Sequence, residues 1–140
     1  MIRPALPTDL PQLLPMVHAL AAHHGDPAAC TLEALERDLF GPGAFISVLI
    51  APGGYVALAP HPQLHAGIRG CELHHLFVRP DHRGTGLGGA LVQAARDHAA
   101  AEGARYLMLG THPDNHAAQA FWQAQGFEPH APGPRFRLKF

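Results

Sequence analysis

Apolar residues at Leu10, Leu13, Leu14, Val17, Leu20 and Ala21 recur every three or four positions, the spacing that lays one face of an α-helix against a core. Thr8 or Asp9 is placed to cap that helix, and Gly25 to end it. A second, shorter helix is predicted after Thr31, with Leu32, Leu35 and Leu39 inward, Glu33 and Glu36 outward, and Gly41-Pro42 as its stop. The period then changes. Ala44 to Ala51 is a continuous run rich in β-branched residues, separated by Pro52-Gly53-Gly54 from a second run at Tyr55 to Ala59, which together signal a hairpin. Pro60 to Gly70 is polar and Pro-containing, a loop, and Cys71 to Val78 follows as a strand. Beyond a Gly-rich turn the pattern predicts an Ala-rich helix over Leu87 to Glu102 ended by Gly103, a strand over Arg105 to Leu109, and a helix over Asn115 to Gln125 ended by Gly126. Phe127 to His130 and Arg135 to Phe140 are expected as closing strands, and Ile2 to Ala5 as a short first one.

No internal repeat or low-complexity linker interrupts this order, and 140 residues is one domain's worth of chain, so residues 1–140 are expected to form a single unit. With 47% hydrophobic and 15% charged residues the chain can bury a real core. Ten Lys and Arg against eleven Asp and Glu leave a net charge of −1, which provides no basic field for nucleic acid or an anionic membrane. The apolar runs fall well short of the ~20 residues of a membrane helix. Cys30 and Cys71 form no C-x-x-C pair and no secretory leader is visible, so a soluble protein of the reducing cytoplasm is expected. Twelve histidines raise the question of a metal, yet His61/His65 and His112/His116 flank prolines and no H-E-x-x-H occurs, so no metal site is expected.

The stretch that carries chemistry is Arg79 to Gly89, R-P-D-H-R-G-T-G-L-G-G, between a strand and a long helix. Gly84, Gly86, Gly88 and Gly89 free the backbone to turn and remove β-carbons that would block a ligand. At a helix N-terminus their amides and the macrodipole favour a phosphate or pyrophosphate, and Arg83 adds a cation. A P-loop would need Lys and Ser or Thr after the last Gly, where Gly89-Ala90 stand. The dinucleotide pattern G-x-G-x-x-G is met by Gly84, Gly86 and Gly89, but five residues intervene after the strand and too little α/β sequence remains for that sheet. R-x-x-G-x-G, filled by Arg83, Gly86 and Gly88, is the third possibility.

With Leu76 to Pro80 (L-F-V-R-P) in front of it, this loop resembles the acetyl-coenzyme A loop of the GNAT superfamily of N-acetyltransferases. The pattern N-x-x-A-x-x-F-W-x-x-x-G-F, at Asn115, Ala118, Phe121, Trp122, Gly126 and Phe127, resembles a second block of that superfamily, and the order of elements is similar along nearly the whole chain. His24 to Pro27 (H-G-D-P) and Thr31 to Gly41 resemble its diamine or polyamine acetyltransferase branch. The resemblance implies an α/β fold of the acyl-CoA N-acyltransferase type, with a mixed, mostly antiparallel sheet flanked by helices. It implies acetyl-CoA as cosubstrate, held by the main chain of Leu76, Phe77 and Val78, by Arg83, Gly84, Thr85, Gly86, Leu87, Gly88 and Gly89, and by Asn115, Ala118, Phe121 and Trp122 on its other side. Homodimers are common in the superfamily.

A primary amine with a pKa of about 10 must lose a proton before it attacks. Strand alternation predicts Glu72, His74 and Leu76 on one face and Leu73, His75 and Phe77 on the other, so that only one histidine of the pair serves a given side. His74 leads as base, since an imidazole with an ordinary pKa near 6.5 takes up a proton at neutral pH; Glu72 is second and His75 third. Many members of the superfamily place a tyrosine acid where Trp122 stands, and an indole N–H is no useful acid. The expected reaction is acetyl transfer to a small-molecule amine by direct attack. N-acetylation of a protein or peptide, and a catalytically silent coenzyme A sensor, are the alternatives.

Overall fold

The structure, a computed structural model, describes residues 1–130 and 133–140 and divides the chain into two compact units, Met1–Leu109 and Gly110–Phe140. The first unit is built on a five-stranded sheet in chain order: β1 (Arg3–Pro4), β2 (Ser47–Ala51), β3 (Gly54–Pro60), β4 (Cys71–Val78) and β5 (Leu107–Met108). The pairs β1–β2, β2–β3 and β3–β4 are antiparallel, and β4–β5 is parallel, which makes the mixed, mostly antiparallel sheet that the sequence implied.

Helices α1 (Leu10–His23) and α2 (Leu32–Phe40) cover one face. Leu13, Met16, Leu20 and Leu35 meet Val48, Ile50, Tyr55, Ala57 and Phe77 there, in the main hydrophobic core. Helix α3 (Leu87–Ala101) covers the other face, burying Leu91, Val92, Ala95 and Ala99. A Cβ on Gly54 would touch Leu87 and Leu91, so the even-numbered residues of β3 face α3 while Tyr55 and Ala57 face α1 and α2.

The caps follow local chemistry. Thr31 Oγ1 accepts from Ala34 N at 3.1 Å and starts α2 as expected. At α1 the expectation of a side-chain cap from Thr8 or Asp9 is corrected: a 3-10 turn over Pro7–Asp9 precedes the helix, and the Asp9 carboxylate instead accepts from Leu6 N at 2.7 Å and from both terminal nitrogens of Arg3 at 2.6 and 2.8 Å. That ion pair and the Leu6 amide hold the Asp9 carboxyl at about 2, below the ordinary carboxylate value.

In the second unit, α4 (His116–Ala124) is capped by Asn115 Oδ1, which accepts from Ala118 N at 3.1 Å, and is followed by Gly126 at φ 94°. Phe121, Trp122 and Phe127 pack edge to face at 5.0 and 5.3 Å. The expected closing strands are corrected here, since neither 127–130 nor 133–140 forms a strand; Ala131 and Pro132, within that closing segment, lie outside the described residues. Alternation gives a strand only where an edge receives it and a surface covers its apolar side, and Phe136 and Leu138 are 93% and 84% exposed. The strand expected over Arg105 to Leu109 is likewise shorter, pairing only through Leu107 and Met108.

Candidate active site

The chemistry-bearing segments meet β4 at both ends. At its start, β5 pairs only with Cys71 and Glu72, so beyond Glu72 no strand among the described residues lies on that edge of β4. The same edge carries Leu76, Phe77 and Val78, the residues expected to offer main-chain groups.

A bulge interrupts β4 in the middle. Ala57 pairs with His75 and Leu58 with Leu73, which leaves His74 as the extra residue. Leu73 therefore turns with Leu58 toward α3, while Glu72 and His75 turn with Ala59 and Ala57 toward α1 and α2. The expected division of this strand into faces is thereby corrected. The His74 and His75 rings are not on opposite sides but stacked, 4.2 Å between centroids and 13° from parallel. Glu72 Oε1 lies 3.6 Å from His74 Nδ1, an ion pair when that imidazole carries a proton.

The two imidazoles differ in surroundings. His74 is exposed. His75 is half-buried and its Nδ1 lies 3.0 Å from the hydroxyl of Tyr55, a residue only 1% exposed. Burial, with His74 and His24 as like-charged neighbours, pulls the His75 imidazole down to about 4, and it is neutral at physiological pH. Desolvation pushes the Tyr55 phenol well above its ordinary value. Tyr55 was not among the expected site residues; a tyrosine in an apolar strand run carries no signal of its partner.

At its far end β4 runs through a 3-10 turn, Pro80–His82, into the Gly-rich loop. Gly84 and Gly86 have φ of 76° and 85°, and a Cβ on either would meet no atom within 4 Å, so both take left-handed backbone angles and leave their outer side open. Gly86 begins α3 without a side-chain cap, and the first helical bond runs from Ala90 N to Gly86 O. Among the described residues the amides of Gly84 to Gly89 therefore donate to no protein acceptor, as expected at an uncapped helix start. Arg83 donates through Nε to Val78 O at 3.0 Å, tying the guanidinium to the end of the strand, and Thr85 Oγ1 donates to His82 O at 2.6 Å. The hairpin turn buttresses the junction: Arg79 N donates to Gly53 O at 2.7 Å, and a Cβ on Gly53 would lie 2.4 Å from the His82 ring. That close approach requires glycine at position 53, a constraint that the turn signal alone did not convey.

The structure thus gathers Glu72, His74, His75, Leu76, Phe77, Val78 and Arg83 to Gly89 along one strand and the loop that follows it. Asn115, Ala118, Phe121 and Trp122 belong to the second unit, where Asn115 and Ala118 make the helix cap and the two aromatic residues pack on each other. No group of three or more His, Cys, Asp or Glu suited to a metal occurs among the described residues, and no helix there is long and apolar enough to cross a membrane. A shallow cleft of about 420 Å³ between the end of α3 and the start of β4, lined by Phe45, Leu58, Arg69, Cys71 and His98 among others, contains none of the expected site residues.

Comparison with known proteins identifies the family and the fold. The model of a family described as Acetyltransferase (GNAT) family matches residues 17–127. A mycothiol acetyltransferase of Streptomyces bingchenggensis is 34% identical over 113 residues, covering 78% of this chain but 36% of the relative. An L-methionine sulfoximine/L-methionine sulfone acetyltransferase of Pseudomonas aeruginosa is 35% identical over 74 residues, covering 53% of this chain and 43% of the relative. The chain thus spans less than half the length of these curated relatives. A crystal structure of a probable acetyltransferase superposes with a TM-score of 0.86 at 20% identity, covering 100% of this chain and 97% of the other, a likeness of fold.

Proposed function

The chain belongs to the acetyltransferase (GNAT) family, and from that premise we propose that it moves an acetyl group from acetyl-CoA to the amine of a small molecule by direct attack. The observation that carries this reading is the uncapped start of α3: a run of amides from Gly84 to Gly89 without protein acceptors, beside Arg83 and continuous with the open edge of β4.

That cradle fits a pyrophosphate. Gly84 and Gly86 leave open the space a side chain would fill, the helix dipole favours negative charge, and charge-assisted hydrogen bonds contribute roughly 1.5 to 3 kcal/mol each. Acetyl-CoA would supply the acetyl thioester. The chain's part is to bind the pyrophosphate through Arg83, Gly84, Thr85, Gly86, Leu87, Gly88 and Gly89, and to line the coenzyme arm with the main chain of Leu76, Phe77 and Val78, as an added strand is held at a sheet edge. Asn115, Ala118, Phe121 and Trp122 are proposed as further coenzyme-binding residues, as the resemblance implies, and the family match running from 17 to 127 supports reading 1–140 as a single acetyltransferase domain.

His74 takes the proton of the acceptor amine. It is the exposed member of the stacked pair, and Glu72 stands beside its Nδ1 to balance the charge that results. The neutral His75 supports it from below. No tyrosine acid is available at Trp122; a thiol with a pKa of about 8.5 leaves readily as thiolate and takes its proton from water.

The acceptor is a small amine. H-G-D-P at His24 to Pro27 resembles the diamine or polyamine branch, but the residues at the proposed base are His74 and His75, with Glu72 as their one neighbouring carboxylate among the described residues, which favours an acceptor with fewer positive charges. Charge and hydropathy favour a cytoplasmic enzyme without nucleic-acid or membrane partners, and a homodimer is the expected assembly. The test is thiol release from acetyl-CoA with monoamines, polyamines, amino acids, aminoglycosides and peptides as acceptors. Turnover with a small amine supports the reading; turnover with peptides alone replaces it with protein N-acetylation, and tight acetyl-CoA binding without turnover replaces it with a sensor.

A further inference from the structure

We infer that Tyr55 is a positioning residue of this site: its buried hydroxyl holds His75 as the neutral tautomer with hydrogen on Nε2, so that His75 offers His74 a flat, uncharged ring to stack on. The inference rests on the acetyltransferase reading and deepens it.

Tyr55 projects from β3 into the core, with its ring 6.1 Å from that of Phe77, and its hydroxyl has one partner among the described residues, His75 Nδ1 at 3.0 Å. A phenol buried to this degree needs an acceptor for its hydrogen. An imidazolium has none, since both its nitrogens donate, so the bond selects neutral His75 and places the remaining hydrogen on Nε2. The groups that face this ring reinforce the choice. Tyr55 from β3 and His74 from β4 contact it, His24, just past the end of α1, adds like charge, and the one carboxylate nearby among the described residues, Glu72, lies 3.6 Å from His74 Nδ1. Burial alone keeps the Tyr55 phenol protonated throughout the physiological range.

His74 depends on this arrangement. A positive charge 4.2 Å away would oppose proton uptake from the acceptor amine, and a rotated His75 would remove the surface that orients the ring. A chain of contacts thus runs from the core through Tyr55 and His75 to His74.

The test is imidazole ¹⁵N NMR on the full chain between about pH 5 and about pH 8.5, where a free histidine changes charge, combined with kinetics. In the wild type His75 is expected to stay neutral with hydrogen on Nε2. In Tyr55→Phe the His75 tautomers should mix and its titration should rise, burial still holding it below the ordinary value, while kcat falls on the order of tenfold with acetyl-CoA affinity unchanged. The double variant Tyr55→Phe/His75→Phe keeps a flat uncharged ring, orphans no hydroxyl and should recover most of the lost kcat. A wild-type His75 that titrates like a free imidazole, or a Tyr55→Phe protein that binds acetyl-CoA with His75 tautomer and pH profile unaltered, would overturn the positioning role alone. Failure of the wild type to bind acetyl-CoA would remove the reaction and the role together.

Discussion

His74 and His75 are consecutive residues of one strand, yet their rings lie face to face, 4.2 Å apart. The bulge that makes this possible gives the two imidazoles different surroundings, one exposed, the other half-buried against Tyr55.

The buried histidine leaves a mark on stability. Its folded-state value of about 4 lies below the ordinary value, so the unfolded chain binds the proton more readily. Stability is therefore fully present above about pH 6.5, falls as the pH drops toward 4, and levels off below that once the folded state is protonated as well. Urea midpoints measured across this window should decline for the wild type and decline less for Tyr55→Phe/His75→Phe. Asp9, whose carboxyl is depressed, acts in a separate window: its contribution is present above about pH 3.9 and is lost as the pH falls toward 2.

His74→Ala removes the proposed proton acceptor without touching the loop. Its kcat/KM is expected to fall by about 10²-fold or more near neutral pH and by less near pH 9, where more of the amine is already deprotonated, with acetyl-CoA affinity unchanged. Equal rates for variant and wild type at both pH values would exclude His74 as base.

Arg83→Ala and Gly86→Val probe the cradle in different ways. The first deletes a charged donor and should weaken acetyl-CoA binding by about 1.5 to 3 kcal/mol, roughly tenfold to a hundredfold in Kd. The second forces a β-branched residue to φ 85° and fills the open side of the turn, so binding should fall further while the fold persists. Titration calorimetry reads both, and unchanged Kd in either would remove the loop from the coenzyme site.

The frame that holds β4 is an ordinary core. Leu13 is fully buried between α1 and the sheet, and Leu13→Ala should cost about 2.7 to 5 kcal/mol in chemical denaturation; a loss under 1 kcal/mol would mean that this face is not packed as described.

Periodicity was enough for α1, α2, α3 and α4 and for the hairpin, because each carries apolar residues at its own period, buried most fully on α1 and α3, and each helix stops within two residues of a glycine. The turn that leads from Arg83 into α3 was legible for a different reason: glycines at 84 and 86 permit the left-handed angles that the structure shows there. What the sequence hid was contextual. The bulge at His74 reverses which faces Leu73 and Glu72 occupy, and nothing in C-E-L-H-H-L-F-V marks the slip, since either histidine tolerates exposure. Tyr55 and Gly53 act through partners twenty or more residues away, His75 and His82, that only the fold brings near. The alternation of Arg135 to Phe140 is a real pattern without a strand, and its apolar residues Phe136 and Leu138 stay uncovered.

The central claim is that the start of α3 and the open edge of β4 hold acetyl-CoA. Its most direct test is the melting temperature of the protein with acetyl-CoA, beside ATP and NADH. A ligand at 100 times its Kd adds about 2.7 kcal/mol, several degrees for a chain of this size, and the shift is expected with acetyl-CoA alone and is expected to vanish in Gly86→Val. A well-folded protein that melts at the same temperature with and without acetyl-CoA would contradict the account.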